Sequence, residues 1–136
     1  MLERFEIRTN SRNEFIDITN KIKGIVANSG IIDGIAIVFT PHTTAGITIN
    51  ENADPDVQTD MIKFMEKLVP KSGQDFRHYE GNSDSHIKSS LFSPSLTVIV
   101  ANGEIILGRW QGIYFCEFDG ARSRTCFIKV IKGWKI

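Results

Sequence analysis

Apolar and polar positions divide the chain into segments of two different periods. Residues Arg4 to Thr9 alternate Phe5 and Ile7 with charged neighbours, the twofold repeat of a strand with one wet face. From Ile18 the apolar residues Ile22, Ile25 and Val26 recur at helical spacing, and Gly30 supplies a stop. Gly34 to Thr40 is a short, nearly continuous apolar run, as a buried strand requires. Alternation returns at Ile47-Thr-Ile-Asn50. Asp54-Pro55 then opens the strongest helical pattern, with Asp54 as N-cap and proline in the first turn. Val57, Met61, Phe64, Met65 and Leu68 form its apolar stripe, Pro70 ends it, and the stripe reads as core filler.

Residues Lys71 to Ser85 are polar, hold Gly73 and Gly81, and carry His78. A connection of about fifteen residues in a chain this compact is long, and such loops are usually functional or disordered. Ser85 to Leu91 suggests a short helix before Pro94. Leu96 to Ala101, Asn102-Gly103 and Glu104 to Leu107 give a two-residue hairpin signal. Two further strands, Ile113 to Asp119 and Thr125 to Ile131, flank the turn Gly120-Ala-Arg-Ser123. Paired about Ala121, they set Cys116 opposite Cys126, most simply as two small, buried, reduced residues. The pattern totals about seven strands and two main helices in one domain, residues 1–136.

Composition narrows the function classes. A chain of 136 residues buries roughly 68% of its unfolded surface and needs no metal or disulfide merely to fold. Lys+Arg and Asp+Glu are both 16, so there is no general pull towards nucleic acid or membrane. A nucleic-acid role would have to rest on Arg122, Arg124 and lysines near the C-terminus, and the charge balance argues against it. The start lacks the basic and apolar blocks of a signal peptide. No apolar run approaches the ~20 residues of a membrane span, and the cytoplasm is the expected compartment. Neither cysteine belongs to a CxxC pair, which argues against a thiolate zinc site.

The candidate chemistry sits in three places. His42, His78 and His86 all lie at or beside loops. Three imidazoles with an open fourth position form a workable zinc set, although their spacing matches no compact metal motif and independent surface histidines fit it too. Asn50-Glu-Asn-Ala-Asp54 offers Glu51 and Asn52 at a strand end, suited to proton transfer, hydroxyl binding or metal support, or equally to a solvated loop. Arg109-Trp-Gln-Gly112 offers a guanidinium, an indole and the Gln111 amide for phosphate and ring binding, or else a β-corner whose Trp110 plugs the core. Thr43 and Thr44 can supply donors to an anion. No Walker loop, hydrolase elbow or dinucleotide fingerprint is present.

Four segments together resemble the YjbQ family, also called the secondary thiamine-phosphate synthase family: Thr40-Pro-His-Thr-Thr-Ala-Gly-Ile-Thr-Ile-Asn-Glu-Asn-Ala-Asp54, His78 with Asp84-Ser-His86, Ser93-Pro-Ser-Leu96, and Leu107-Gly-Arg-Trp-Gln-Gly-Ile113. The similarity covers nearly the whole chain, in family order. It implies an α+β fold, a mainly antiparallel sheet or sandwich packed by helices, assembled as a homotrimer. It also implies that His42, His78 and His86 gather in a pocket for a divalent, zinc-like ion, with magnesium as the choice beside a diphosphate. The implied activity is that of a transferase joining hydroxymethylpyrimidine diphosphate to thiazole phosphate, releasing diphosphate, as a side activity of a protein whose main role is unknown. Glu51 would move the proton, and Thr43, Thr44, Asn52, Arg109 and Gln111 would hold the substrate. A metal-dependent hydrolase of a small phosphorylated or heterocyclic substrate, and a non-catalytic metabolite or metal module, are the alternatives.

Overall fold

The computed structural model describes residues 2–133. Eight strands and three helices follow in chain order: β1 (Leu2–Arg8), β2 (Glu14–Asp17), α1 (Thr19–Ser29), β3 (Gly34–Phe39), β4 (Ala45–Glu51), α2 (Pro55–Leu68), α3 (Ser83–Phe92), β5 (Ser95–Ala101), β6 (Glu104–Ile105), β7 (Gln111–Glu117) and β8 (Ser123–Lys132). They form the expected α+β fold with antiparallel sheets. One sheet has the order β1-β8-β3-β5-β6 and the other β2-β7-β4.

Local chemistry explains most of the boundaries. Helix α1 ends on Gly30 at φ 72°, whose N–H reaches the Ala27 carbonyl, a left-handed stop that glycine adopts without a Cβ penalty. Helix α2 begins as expected, the Asp54 carboxylate accepting from Asp56 N–H at 2.9 Å. Asn102-Gly103 closes the β5–β6 hairpin with both residues at positive φ, 54° and 77°, as a two-residue turn of this type requires.

The two sheets face each other across one core. On β7, Ile113 and Phe115 point into it with Ile47 of β4, Val38 of β3, Val98 and Val100 of β5 and Ile128 of β8. Helix α1 adds Ile22 and Val26. The other face of the three-stranded sheet, Tyr114, Cys116 and Phe118, packs with Phe15 and with Phe92 of α3. Helix α3 comes so close that a Cβ on Gly46 would sit 3.0 Å from the Phe92 Cβ. The layers are therefore five strands, three strands, and α3.

Three expectations change. β7 and β8 are not a hairpin: each joins a different sheet, Cys116 lying opposite Phe15 and Gly46 and Cys126 opposite Phe5. The two cysteines are free and buried. The turn between them crosses the sandwich rather than doubling back within one sheet. The α2 stripe is not core, because no residue of that helix is buried. Strand β2 also escapes the pattern; with four residues, it is too short for an alternation to stand out. No helix among the described residues is long and apolar enough to cross a membrane.

Candidate functional site

A single cleft of about 400 Å³ collects all three histidines, with Thr43, Thr44, Arg122 and Arg124 on its walls. Sequence distance is bridged by topology. His42 follows β3, Thr44 precedes β4, His78 lies within the long loop, His86 lies on α3, and the arginines stand at the start of β8.

The floor is a buried ion pair. Glu117, at the end of β7, is fully buried, and Arg124 is 5% exposed. Arg124 Nε donates to Glu117 Oε1 at 2.8 Å, and its Nη2 donates to the second carboxylate oxygen. The same Nη2 donates to Thr44 Oγ1 at 2.8 Å. Thr9 Oγ1 and Asp119 N–H also donate to the carboxylate, at 2.8 and 3.0 Å. Burial alone would push the Glu117 carboxyl up; Arg124 and these donors outweigh it and hold it below the usual carboxylate range. The Thr44 hydroxyl is thus an acceptor committed to Arg124, while Thr43 stays exposed.

His42 is fixed by the backbone. Its Nε2 accepts the Thr125 N–H at 2.9 Å. In a neutral imidazole one nitrogen accepts and the other donates, so the proton of His42 is on Nδ1. Burial first, and the nearby Arg124 charge second, lower its pKa, and the ring stays neutral at physiological pH. His78 and His86 meet edge to face, with centroids 5.4 Å apart. Glu80 Oε1 lies 3.9 Å from His78 Nε2. At the rim, Arg122 Nη2 donates to Asp119 Oδ2 at 2.9 Å, and Asn82 Nδ2 donates to the same oxygen at 2.8 Å. Arg122 and Arg124 are both paired with carboxylates and form no free basic strip.

A second ion cluster braces α3 behind the cleft. Asp84 is fully buried and takes both Nη atoms of Arg12, at 2.9 and 3.0 Å, and Lys88 Nζ at 3.0 Å. Desolvation raises its carboxyl pKa, yet the hydrogen bonds from Arg12 and Lys88 win and lower it. Lys88 is itself 1% exposed. This cluster anchors the helix that presents His86.

The remaining site residues lie elsewhere within one chain. Glu51 closes β4, six residues after Ala45, or about 20 Å along an extended strand. Its backbone carbonyl accepts from Gln58 Nε2 at 2.5 Å and from Tyr114 Oη at 3.2 Å. Asn52 is exposed and packs its side chain on Gly112, 2.8 Å from where a Cβ would stand. Gln111 accepts the Gly108 N–H at 2.7 Å, which shapes the turn. Arg109 stacks over Trp110 at 4.8 Å, and Trp110 is 55% exposed rather than a core plug. Glu51, Asn52, Arg109 and Gln111 therefore form a separate cluster at the opposite end of the β4–β7 pair.

The metal reading fails on donor arrangement. Among the described residues no three His, Cys, Asp or Glu side chains are grouped to hold an ion. His42 has already given its unprotonated nitrogen to Thr125. The three histidines share a cleft without offering three converging lone pairs.

Relatives agree on the fold and name no activity. Residues 3–133 match the family model described as UPF0047 protein YjbQ-like. The UPF0047 protein YugU of Bacillus subtilis is 53% identical over 131 residues, covering 96% of this chain and 99% of that one. The YjbQ protein of Escherichia coli O157:H7 is 40% identical over 103 residues, covering 74% and 75%. A crystal structure of an uncharacterised YjbQ/UPF0047 protein from Clostridium acetobutylicum superposes with a TM-score of 0.93 at 54% identity, covering 95% and 99%. A YbjQ-like protein from Sulfolobus solfataricus, described as of unknown function, gives 0.93 at 25% identity, covering 98% and 97%. These findings correct the expectation of thiamine-phosphate synthesis at a metal pocket: the names of the relatives assign no such activity, and among the described residues no three His, Cys, Asp or Glu side chains are grouped to hold an ion. What sequence match and superposition establish together is membership: this chain belongs to the UPF0047 YjbQ-like family.

Proposed function

We propose that the histidine cleft binds a small molecule bearing a phosphate or carboxylate group and carries out acid–base chemistry on it. The supporting observation is His42, a neutral imidazole whose proton is placed on Nδ1 by its bond to Thr125. Such a ring is a preset hydrogen-bond donor, and it strengthens as negative charge develops on a ligand oxygen. Thr43 and Arg122 add donors on the cleft wall. His78 and His86, in contact with each other, each carry ring nitrogens that can donate or accept a proton, and are the groups suited to pass one. A space of about 400 Å³ suits a metabolite-sized ligand.

The same reading places the protein in the cytoplasm as a self-associating enzyme of three copies. Light scattering should return a mass three times 15.3 kDa; a different multiple would reject the number of copies and leave the cleft untouched. The cleft itself is tested by NMR titration with inorganic phosphate and with acetate, following the ring protons of the three histidines. Saturable shifts at His42 that vanish in His42→Ala are expected. Unchanged histidine signals up to tens of millimolar of both anions would reject an oxyanion site.

A further inference from the structure

Two apolar surfaces of this molecule have no partner among the described residues. Helix α2 is the first. It runs for 14 residues without one buried side chain, and Phe64 and Leu68 on its stripe are 63% and 58% exposed. Its own chain holds it through Gln58 Nε2 on the Glu51 carbonyl and a contact of Asn50 Nδ2 with Met61 Sδ at 3.5 Å. A helix of this length is marginal in water by itself, and its stability normally comes from a packed apolar face.

The second is the outer face of the five-stranded sheet. Registers align Leu2, Lys129 and Ile37 in one row, Phe127 and Phe39 in the next, and Ile131, Ile35 and Ile99 in a third. The opposite face of these strands packs on the core, but Leu2, Phe39, Ile99 and Ile131 remain 40–59% exposed on this side. Ile37, Phe39, Phe127 and Leu2 enclose a shallow apolar hollow closed on one side by Lys129.

We infer that the α2 stripe of one copy docks on the outer sheet face of another, so that the two unpartnered surfaces of the chain cover each other. It deepens the self-association proposed above by naming the surfaces. Charge fits the pairing: Asp54 caps α2 and Asp56 and Asp60 lie in its first half, while the sheet face carries Arg4, opposite Phe127, and Lys129, opposite Leu2. A helix on one copy and a sheet on the next are different patches, and a contact of that kind propagates around a closed ring or is exchanged across a twofold axis. Continuity with the site adds a consequence. Thr125, which holds His42, stands on the same face of β8 two residues from Phe127, and the docked neighbour borders the histidine cleft.

The test uses mixed copies of the full chain. Phe64→Cys protein and Phe39→Cys protein are combined under mild oxidation; native Cys116 and Cys126 are buried and serve as inert background. The expected product is a covalent pair of one Phe64→Cys chain with one Phe39→Cys chain, at least tenfold over either homodimer. Predominant homodimers, or no covalent pair, would overturn the inference. Light scattering without ligand gives the second measurement. Wild type should exceed 15.3 kDa by a whole multiple, and Phe64→Asp, on an exposed helix face, should return the monomer mass while the cooperative unfolding of the two sheets is kept. A monomeric wild type, or an assembly that persists in both Phe64→Asp and Phe39→Asp, would contradict it. Phosphate titration of monomeric Phe64→Asp tests the cleft separately.

Discussion

The two ends of the β4–β7 pair carry similar polar residues held in opposite ways. At the cleft end, Glu117 and Arg124 are buried against each other, Thr44 is fixed by Arg124, and His42 is fixed by Thr125. At the other end, Asn52, Arg109 and Gln111 are exposed, and Glu51 is bonded only through its backbone. Both ends look like sites when read as strings of residue types. Only the first buries its charged groups and fixes a titratable ring beside them, and those are what acid–base chemistry needs. Exposed residues at a strand end keep their options, and a site built from them requires something else to hold them.

The largest contrast should appear on breaking the buried pair. Glu117→Ala leaves the Arg124 guanidinium buried without its carboxylate, at a cost of about 3–5 kcal/mol, read from urea unfolding. Replacing both, as Glu117→Met with Arg124→Leu, is expected to recover most of that loss, because an apolar pair removes two desolvated charges together.

Asp84 comes next. Asp84→Asn strands Arg12 and Lys88 beside each other and should cost roughly 3 kcal/mol. It also gives a pH test. Asp84 and Glu117 both have folded pKa values below the usual carboxylate range. Their stabilisation is complete above the unfolded value near about 4 and is lost as pH falls through the folded values, since the unfolded chain then binds more protons. Denaturation curves should therefore be flat in these groups from pH 7 to about 5 and fall steeply below about 4. Asp84→Asn should make the acid limb shallower. An unchanged limb would mean that Asp84 is not held in its charged form.

Smaller effects separate ligand binding from folding. His42→Ala should weaken phosphate binding about tenfold, the worth of one good hydrogen bond of roughly 1.4 kcal/mol, with the melting temperature changed by only a few degrees. At the far end, Arg109→Ala should alter stability by less than about 0.5 kcal/mol, as its stacking on an exposed indole suggests. A destabilisation of several kcal/mol there would erase the distinction between the two ends.

The sequence was most legible where local chemistry decides the outcome. The Gly30 stop, the Asp54 cap and the Asn102-Gly103 turn all stand where they were expected. It misled where the partner of a segment is distant. The stripe of α2 has the pattern of a core helix, yet periodicity shows only that a face is apolar, not that this chain covers it. Likewise β7 and β8 are joined by a short turn but pair in different sheets. The histidines were found because so few exist. Glu117 and Arg124 were missed as a floor, although a signal was present: each occupies an inward position, in line with Ile113 and Phe115 or with Cys126 and Ile128. Opposite charges interrupting two apolar alternations at adjacent ends mark a buried pair.

The central claim is that His42 is a neutral donor with its proton on Nδ1, and nitrogen-15 NMR of the imidazole rings addresses it directly. At pH 7.5 the His42 ring should show a protonated Nδ1 and an unprotonated Nε2, gain its second proton only below the ordinary histidine value, and shift at Nδ1 on addition of phosphate. A ring protonated at Nε2, or one that titrates at or above the ordinary value, would contradict the account.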